Sequence, residues 1–175
     1  MGSGAIYFFG GFSVRRKFST FERFIRVSGN GRAEGEYMVR QVEITAGPYP
    51  KGIYLITALV ERGVGKFPRT GIMHVFVRHT SAALAVSENA DPDVRHDMEM
   101  WFDEFVPEGR PYYTHTAEGD DDMPSHIKAV LCGQSVTVPV RDGRPALGTW
   151  QGIYLCEFRR NAGPRGITVT VIGED

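Results

Sequence analysis

The sequence has few of the features that mark membrane, nucleic-acid-binding or disulfide-rich proteins. No apolar run approaches the roughly 18–20 residues that cross a bilayer. The formal net charge of -1 creates no overall field that would attract nucleic acid or an anionic membrane. The two cysteines, Cys132 and Cys156, lack metal-type spacing and suit a reduced compartment. We therefore expect a cytoplasmic protein that binds neither nucleic acid nor membranes.

Length and composition favour one globular domain preceded by an arm. The chain has 175 residues, of which 42% are hydrophobic and 23% charged, which is ordinary for a single domain. Residues 1–36 differ, because they are rich in arginine and have no regular apolar period. Three interpretations of this N-terminal arm or extension stay open: a disordered or loosely docked arm, a transit-like peptide, and upstream sequence translated from a misplaced start. We place the folded domain at 37–175.

From Tyr37 onward the apolar pattern is mostly typical of β-strands. The segment GIMHVFV alternates, with Met73, Val75 and Val77 on one side. GIYLCEF and GITVTVI are interpreted as two further strands, and GIYLITALV as a single buried strand. Asp142-Gly143 predicts a hairpin turn.

Two helices are predicted between the strands. Asp91 is a good N-cap and Pro92 suits the first helical position. The second helix is expected to begin near 122–124, with an apolar stripe, and to end at Gly133; the stripe consists of Ile127, Val130 and Leu131. Because strands outnumber helices without βαβ alternation, we expect an α+β fold, a mostly antiparallel β-sandwich with two helices.

Two stretches concentrate side chains with chemistry. His79, Thr80 and Ser81 directly follow a predicted strand, where a rigid scaffold often presents functional groups. Further along, two histidines flank an acidic run; the stretch contains His115, Glu118, Asp120, Asp121, Asp122 and His126. Three imidazoles with an open position can form a catalytic metal site. The alternative is a solvated acidic loop in which Asp122 caps the helix.

Two other groups of residues leave alternatives open. Glu88 and Asp91 lie where a hard cation could bind, but Asp91-Pro92 is also an ordinary helix start. Trp150 can stack on a flat ring or fill the core. Glu157 and Arg159 share a parity, which suits an ion pair or an arginine clamp on an anion.

Three ordered motifs resemble a known family. HTSAAL…ENADPDV, EGDDDMPSHIK and GRPALGTWQGIYLCEFR closely resemble the YjbQ-like family, also called the secondary thiamine-phosphate synthase family. The resemblance runs from about Tyr37 to the C-terminus. It implies a β-rich sandwich that forms a homotrimer. It also implies weak thiamine-phosphate synthase activity, in which a hydroxymethylpyrimidine diphosphate is joined to a thiazole phosphate and diphosphate is released.

The resemblance also suggests roles for residues. The family's histidines match His79, His115 and His126, which we take as catalytic and as ligands, with Glu118 and Asp120, of a divalent metal, either Mg or Zn. We assign phosphate or substrate contacts to five residues: Thr80, Ser81, Lys128, Trp150 and Arg159. The expected partner is a small phosphorylated heteroaromatic substrate. Two alternatives are a non-catalytic trimeric module that binds an anion or metal, and a zinc-dependent hydrolase. Members commonly carry Asn where this chain has Asp122.

Overall fold

The computed structural model describes residues 20–27 and 35–175. In chain order its elements are β1 (Thr20–Val27), β2 (Gly35–Ala46), β3 (Gly52–Leu55), α1 (Thr57–Val64), β4 (Thr70–Val77), β5 (Ala82–Glu88), α2 (Pro92–Phe105), α3 (Asp122–Cys132), β6 (Ser135–Arg141), β7 (Arg144–Pro145), β8 (Gln151–Glu157) and β9 (Arg165–Glu174). The longest described helix has 14 residues, and none in this part of the chain has the length and apolarity to cross a bilayer.

The strands form two antiparallel sheets that pack face to face. The larger sheet has the order β1-β2-β9-β4-β6-β7, and the smaller one β3-β8-β5. Val75 and Val169 of the larger sheet share a core with Leu84 and Leu155 of the smaller one. The other face of the smaller sheet packs against α2 and α3. The expected α+β, mostly antiparallel sandwich is therefore confirmed.

Local patterns in the strands follow the predicted alternation. Met73, Val75 and Val77 are fully buried, whereas Ile72 and Phe76 lie on the exposed face of β4. Asp142 and Gly143 both adopt positive φ, as the tight turn between β6 and β7 requires.

The segment GIYLITALV is not one strand, and this corrects the expected number of helices from two to three in the described residues. β3 ends at Leu55 and α1 begins at Thr57. The hydroxyl of Thr57 accepts a hydrogen bond from the backbone N–H of Ile153. Val60 and Val64, one helical turn apart, are buried. A short apolar run fits a strand or a buried helix equally well, and here the tertiary contacts decide.

The start of α2 agrees with its prediction. Asp91 is the N-cap, and its carboxylate accepts from the backbone N–H of Asp93. The Glu88 carboxylate accepts from the N–H groups of Ala90 and Asp91. These carboxylates therefore serve the turn and the helix start, which is the second of the alternatives for this cluster.

Helix α3 has the predicted bounds but the opposite orientation. Gly133 caps its C-terminus, yet Val130 and Leu131 are 78% and 56% exposed. The buried side carries Ser125 and Lys128 instead. Two of the three residues of the expected apolar stripe therefore face outward, and Ile127 is half-buried. The homotrimer implied by the resemblance stays a prediction.

The N-terminal arm is described only in part. Residues 20–27 form β1, which pairs with β2 at the edge of the larger sheet. Residues 1–19 and 28–34 lie outside the described part, so the boundary at 36/37 stays a prediction.

The outward orientation of α3 predicts different costs for two leucine truncations. Leu155→Ala should lower the free energy of unfolding by about 2–5 kcal/mol, because it opens a cavity between the sheets. The control Leu131→Ala removes the same atoms from an exposed site and should cost only about 0.5 kcal/mol or less. Urea unfolding of both variants measures the difference. Equal costs would contradict the orientation of α3.

Candidate functional site

Asp122 lies at the centre of the site. It is the first residue of α3 and only 1% exposed. Its Oδ2 is 2.7 Å from Nε2 of His115 and 3.3 Å from Nε2 of His126. Asp122 and His126 share a helix face because they are four residues apart, and His115 comes from the preceding loop. One carboxylate oxygen thus faces two imidazoles whose ring centres are 5.5 Å apart.

A hydrogen bond to the backbone determines which nitrogen of His126 carries a proton. Nδ1 lies 3.0 Å from the carbonyl oxygen of Thr80, and a carbonyl can only accept. Nδ1 is therefore protonated, and in the neutral ring Nε2 carries a lone pair. That lone pair faces the negative Oδ2 of Asp122. Such a contact is repulsive unless a proton or a cation lies between the two atoms.

The second oxygen of Asp122 is bound by Arg159. The Nη1 group of Arg159 donates to Oδ1 of Asp122, Nη2 donates to the carbonyl of Glu118 at 2.8 Å, and Nε donates to Asp121 at 3.3 Å. Burial raises the pKa of Asp121, but the backbone N–H of Arg160 and the charge of Arg159 outweigh it, so this pKa lies below its usual value. The Arg159 guanidinium is thus engaged by groups of the chain, which argues against its expected role as a phosphate clamp.

The three facing groups have the donor set of a metal site. Ligand atoms of His115, Asp122 and His126 all lie within 4.8 Å of one another. In the part of the chain that the structure describes, these three residues form the cluster of His, Cys, Asp or Glu side chains that could hold a metal ion. Glu118, Asp121 and Asp122 bring three negative charges around the single positive charge of Arg159. The residues therefore suit a divalent cation both in geometry and in charge. Glu118 and Asp120, the predicted acidic ligands, are exposed and fall outside this group.

His79 lies next to this group but faces another network. Its Nε2 accepts from the backbone N–H of Gly166 at 2.9 Å, and its Nδ1 lies 3.3 Å from Nη1 of Arg165. Arg165 also donates to Ser81 and makes two 2.6 Å bonds to buried Glu157. Burial, and then the positive charge of Arg165, lower the pKa of His79. The structure therefore brings together two of the three predicted histidines as ligands.

Lys128 is buried in an ion pair. Its ammonium group lies 2.6 Å from Asp103 of α2 and is 2% exposed. Asp103 also binds Lys51 at 2.7 Å. Burial raises the pKa of Asp103, but the two lysines more than offset this and lower it. Lys128 thus ties α3 to α2, and this arrangement gives no support to its expected contact with phosphate.

The expected substrate contacts of Trp150 and Thr80 stay predictions, but the exposure of Trp150 shows that it does not fill the core of the chain. Trp150 is 63% exposed and precedes β8, whereas Arg159 follows β8. A strand of this length spans about 20–25 Å, so the indole is far from Asp122 within one chain. Thr80 contributes its backbone carbonyl to His126.

Sequence reasoning missed one residue of the site and left another undecided. Asp122 was left open between a role in cation binding and a helix cap and was not chosen as a ligand, although its spacing of four from His126 is a signal for a shared helix face. Arg165 was not singled out, and nothing in its neighbourhood in the sequence connects it with His79 or Glu157. The cysteines contribute nothing here: burial raises the pKa of the Cys156 thiol to about 12.

A family model, curated relatives and solved structures all resemble this chain. Residues 40–174 match the family described as UPF0047 protein YjbQ-like. The UPF0047 protein YjbQ of Salmonella typhimurium is 48% identical over 136 residues, which cover 77% of this chain and 98% of that protein. A conserved hypothetical protein from Thermus thermophilus has a TM-score of 0.65 and 32% identity, covering 73% of this chain and 96% of its own. A YbjQ-like protein of unknown function from Sulfolobus solfataricus also has a TM-score of 0.65, at 27% identity, covering 79% and 98%.

These relatives correct the expected function. The curated relatives bear only the family name, and the Sulfolobus protein is described as being of unknown function. None of these descriptions supports thiamine-phosphate synthase activity, so that expectation was wrong. The structure gives a consistent reason, since the two cations expected to hold phosphate, Lys128 and Arg159, are bound to carboxylates.

The lowered pKa of His79 predicts a specific loss of stability in acid. Folded His79 binds a proton more weakly than unfolded histidine, so the unfolded state is favoured as the pH falls through about 6.5. The stabilisation of the folded state by neutral His79 is fully present above that pH. It decreases as the pH falls and stops decreasing below the pKa of His79 in the folded state. In the presence of a metal chelator, the free energy of unfolding of the His79→Gln variant should depend less on pH in this range than that of the wild type. Urea unfolding between pH 8 and pH 5 measures the difference. The control is His96→Gln, because His96 is an exposed histidine of α2. This variant should show the same dependence of unfolding free energy on pH as the wild type. Identical profiles for wild type and His79→Gln would contradict the assignment.

Proposed function

The chain belongs to the UPF0047 YjbQ-like family, and from this premise we propose that its functional centre is one divalent transition-metal ion held by His115, Asp122 and His126. The observation that carries the proposal is the orientation of His126. Its Nδ1–H is bound to the carbonyl of Thr80, which directs the lone pair of Nε2 towards Asp122. Metal-bound histidines commonly donate their other N–H to a carbonyl or carboxylate in this way.

The charge of the site supports a cation of charge two. Glu118, Asp121 and Asp122 outnumber Arg159 by two negative charges, and both imidazoles are uncharged when they act as ligands. Asp121 and Asp122 are buried and Glu118 is exposed, so the excess of negative charge is only partly screened by solvent, and a nearby cation stabilises it. A divalent ion makes this local sum zero.

The donor set favours zinc or a similar transition metal over magnesium. Imidazole nitrogens suit zinc, copper, iron and nickel, whereas magnesium prefers oxygen ligands and keeps several waters. Of the two metals expected from the sequence, the zinc class is therefore the one that we propose. Three protein ligands leave at least one coordination position for water or a small ligand. His115 is half exposed, so solvent reaches this side of the site, which supports a functional ion over a purely structural one.

Metal titration of the chelator-treated full chain tests the proposal. We expect one Zn²⁺ or Co²⁺ per chain by calorimetry. Asp122→Asn keeps the shape of the side chain but removes its charge. We expect Asp122→Asn and His126→Ala to weaken binding beyond the roughly 10–100-fold that loss of an outer partner costs.

The control is His74→Ala, because His74 binds Thr137 on the outer face of the larger sheet. This variant should bind the ion as the wild type does. Failure of the wild type to bind either ion would refute the proposal, and so would unchanged affinity in Asp122→Asn and His126→Ala.

A further inference from the structure

The position of Arg159 gives it a role that differs from ligand binding. Arg159 follows the end of β8, and its backbone N–H donates to buried Glu157 at 3.0 Å. Its guanidinium joins the loop at Glu118 to the start of α3 at Asp121 and Asp122. We infer that Arg159 is the positioning residue of the cation site, which sets the orientation of the Asp122 carboxylate. This inference rests on the proposed function.

The two oxygens of Asp122 have separate tasks. Oδ1 is bound by Arg159, and Oδ2 faces His115 and His126. Since the carboxylate is almost fully buried, each oxygen needs a partner. Removing the guanidinium leaves Oδ1 without this bond. The carboxylate then turns towards another donor for Oδ1, and this change withdraws Oδ2 from the histidines and from the metal.

Direct electrostatics predicts the opposite effect, and this makes the role testable. Arg159 is positive and close to the site, so its charge alone repels a divalent cation. If charge were all that mattered, neutralising Arg159 would strengthen cation binding. If orientation dominates, the same change weakens binding. The sign of the change therefore distinguishes the two effects.

The adjacent residue supplies a matched control. Arg160 carries the same charge, but its guanidinium is bound to Glu108. Only its backbone N–H reaches the site, at Asp121, and a side-chain substitution keeps that group. Arg160→Met thus removes an equal charge near the site without a described contact to Asp122.

The experiment compares Co²⁺ binding by the full-length, chelator-treated wild type, Arg159→Met, Arg159→Lys and Arg160→Met. Affinity is measured by titration, and the coordination of the ion is followed by its visible absorption. Loss of an outer-shell partner typically costs about 10–100-fold in metal affinity. We expect a loss in that range for both Arg159 variants, together with an altered Co²⁺ spectrum. Arg160→Met should stay within about threefold of the wild type with the wild-type spectrum, because surface charges act weakly at this distance in salt.

Each result has a definite meaning. Tighter or unchanged binding in Arg159→Met, with the wild-type spectrum, would overturn the inference while leaving the cation site intact. Equal losses in Arg159→Met and Arg160→Met would overturn it as well, because the loss would then not depend on the contact between Arg159 and Asp122. No binding by the wild type would overturn this inference together with the proposed function. If Arg159→Met does not fold, Arg159→Lys decides, because it keeps the charge and loses the planar donor group.

Discussion

The buried carboxylate of Asp122 determines how the helical layer sits on the sheets. A carboxylate that is almost completely removed from water is tolerated only with partners on both oxygens, and the chain provides them from three places: a loop, the helix itself and the segment after β8. Because the Asp122 carboxylate needs these partners, the polar side of the N-terminal half of α3 faces the protein interior. Lys128, six residues later, is also buried and pairs with Asp103. The outward position of Val130 and Leu131 is the consequence.

The end of β8 organises two polar clusters at once. Glu157 holds Arg165, which in turn lies against His79 and Ser81, while Arg159 holds the acidic residues around Asp122. The two clusters are joined by the bond from the Arg159 N–H to Glu157. Loss of one partner from a buried ion pair of this kind strongly destabilises a protein, because the other charge is left buried without a partner. The position of the Asp122 carboxylate therefore depends on the same strand that forms the middle of the smaller sheet.

Patterns with a regular period allowed most of the fold to be predicted. The alternation through Met73, Val75 and Val77, the cap at Asp91 and the turn at Asp142-Gly143 each have a local physical cause, and each is observed. The prediction of one strand over residues 52–60 was wrong because these apolar residues fit either a strand or a helix, and the contact of Thr57 with β8 decides between them. The prediction of the buried side of α3 was wrong because periodicity shows which residues share a face but not which face is buried.

The site was only partly accessible to sequence reasoning for a similar cause. His115 and His126 lie within a few residues of the acidic run, so their proximity could be expected. The contacts of Arg159 with residues 118–122 and of Arg165 with His79 join segments that are about 40 and 90 positions apart, and no local rule relates such segments.

The central position of β8 has a consequence for how this chain can change length. Ile153, Leu155 and Glu157 face the larger sheet, whereas Tyr154, Cys156 and Phe158 face the helices. Inserting or deleting one residue here exchanges these two sets. A carboxylate would then enter the apolar layer under α2, a phenylalanine would meet Arg165, and Arg159 would point away from Asp122. A change of length should therefore be tolerated better in the loops that flank this strand than within it.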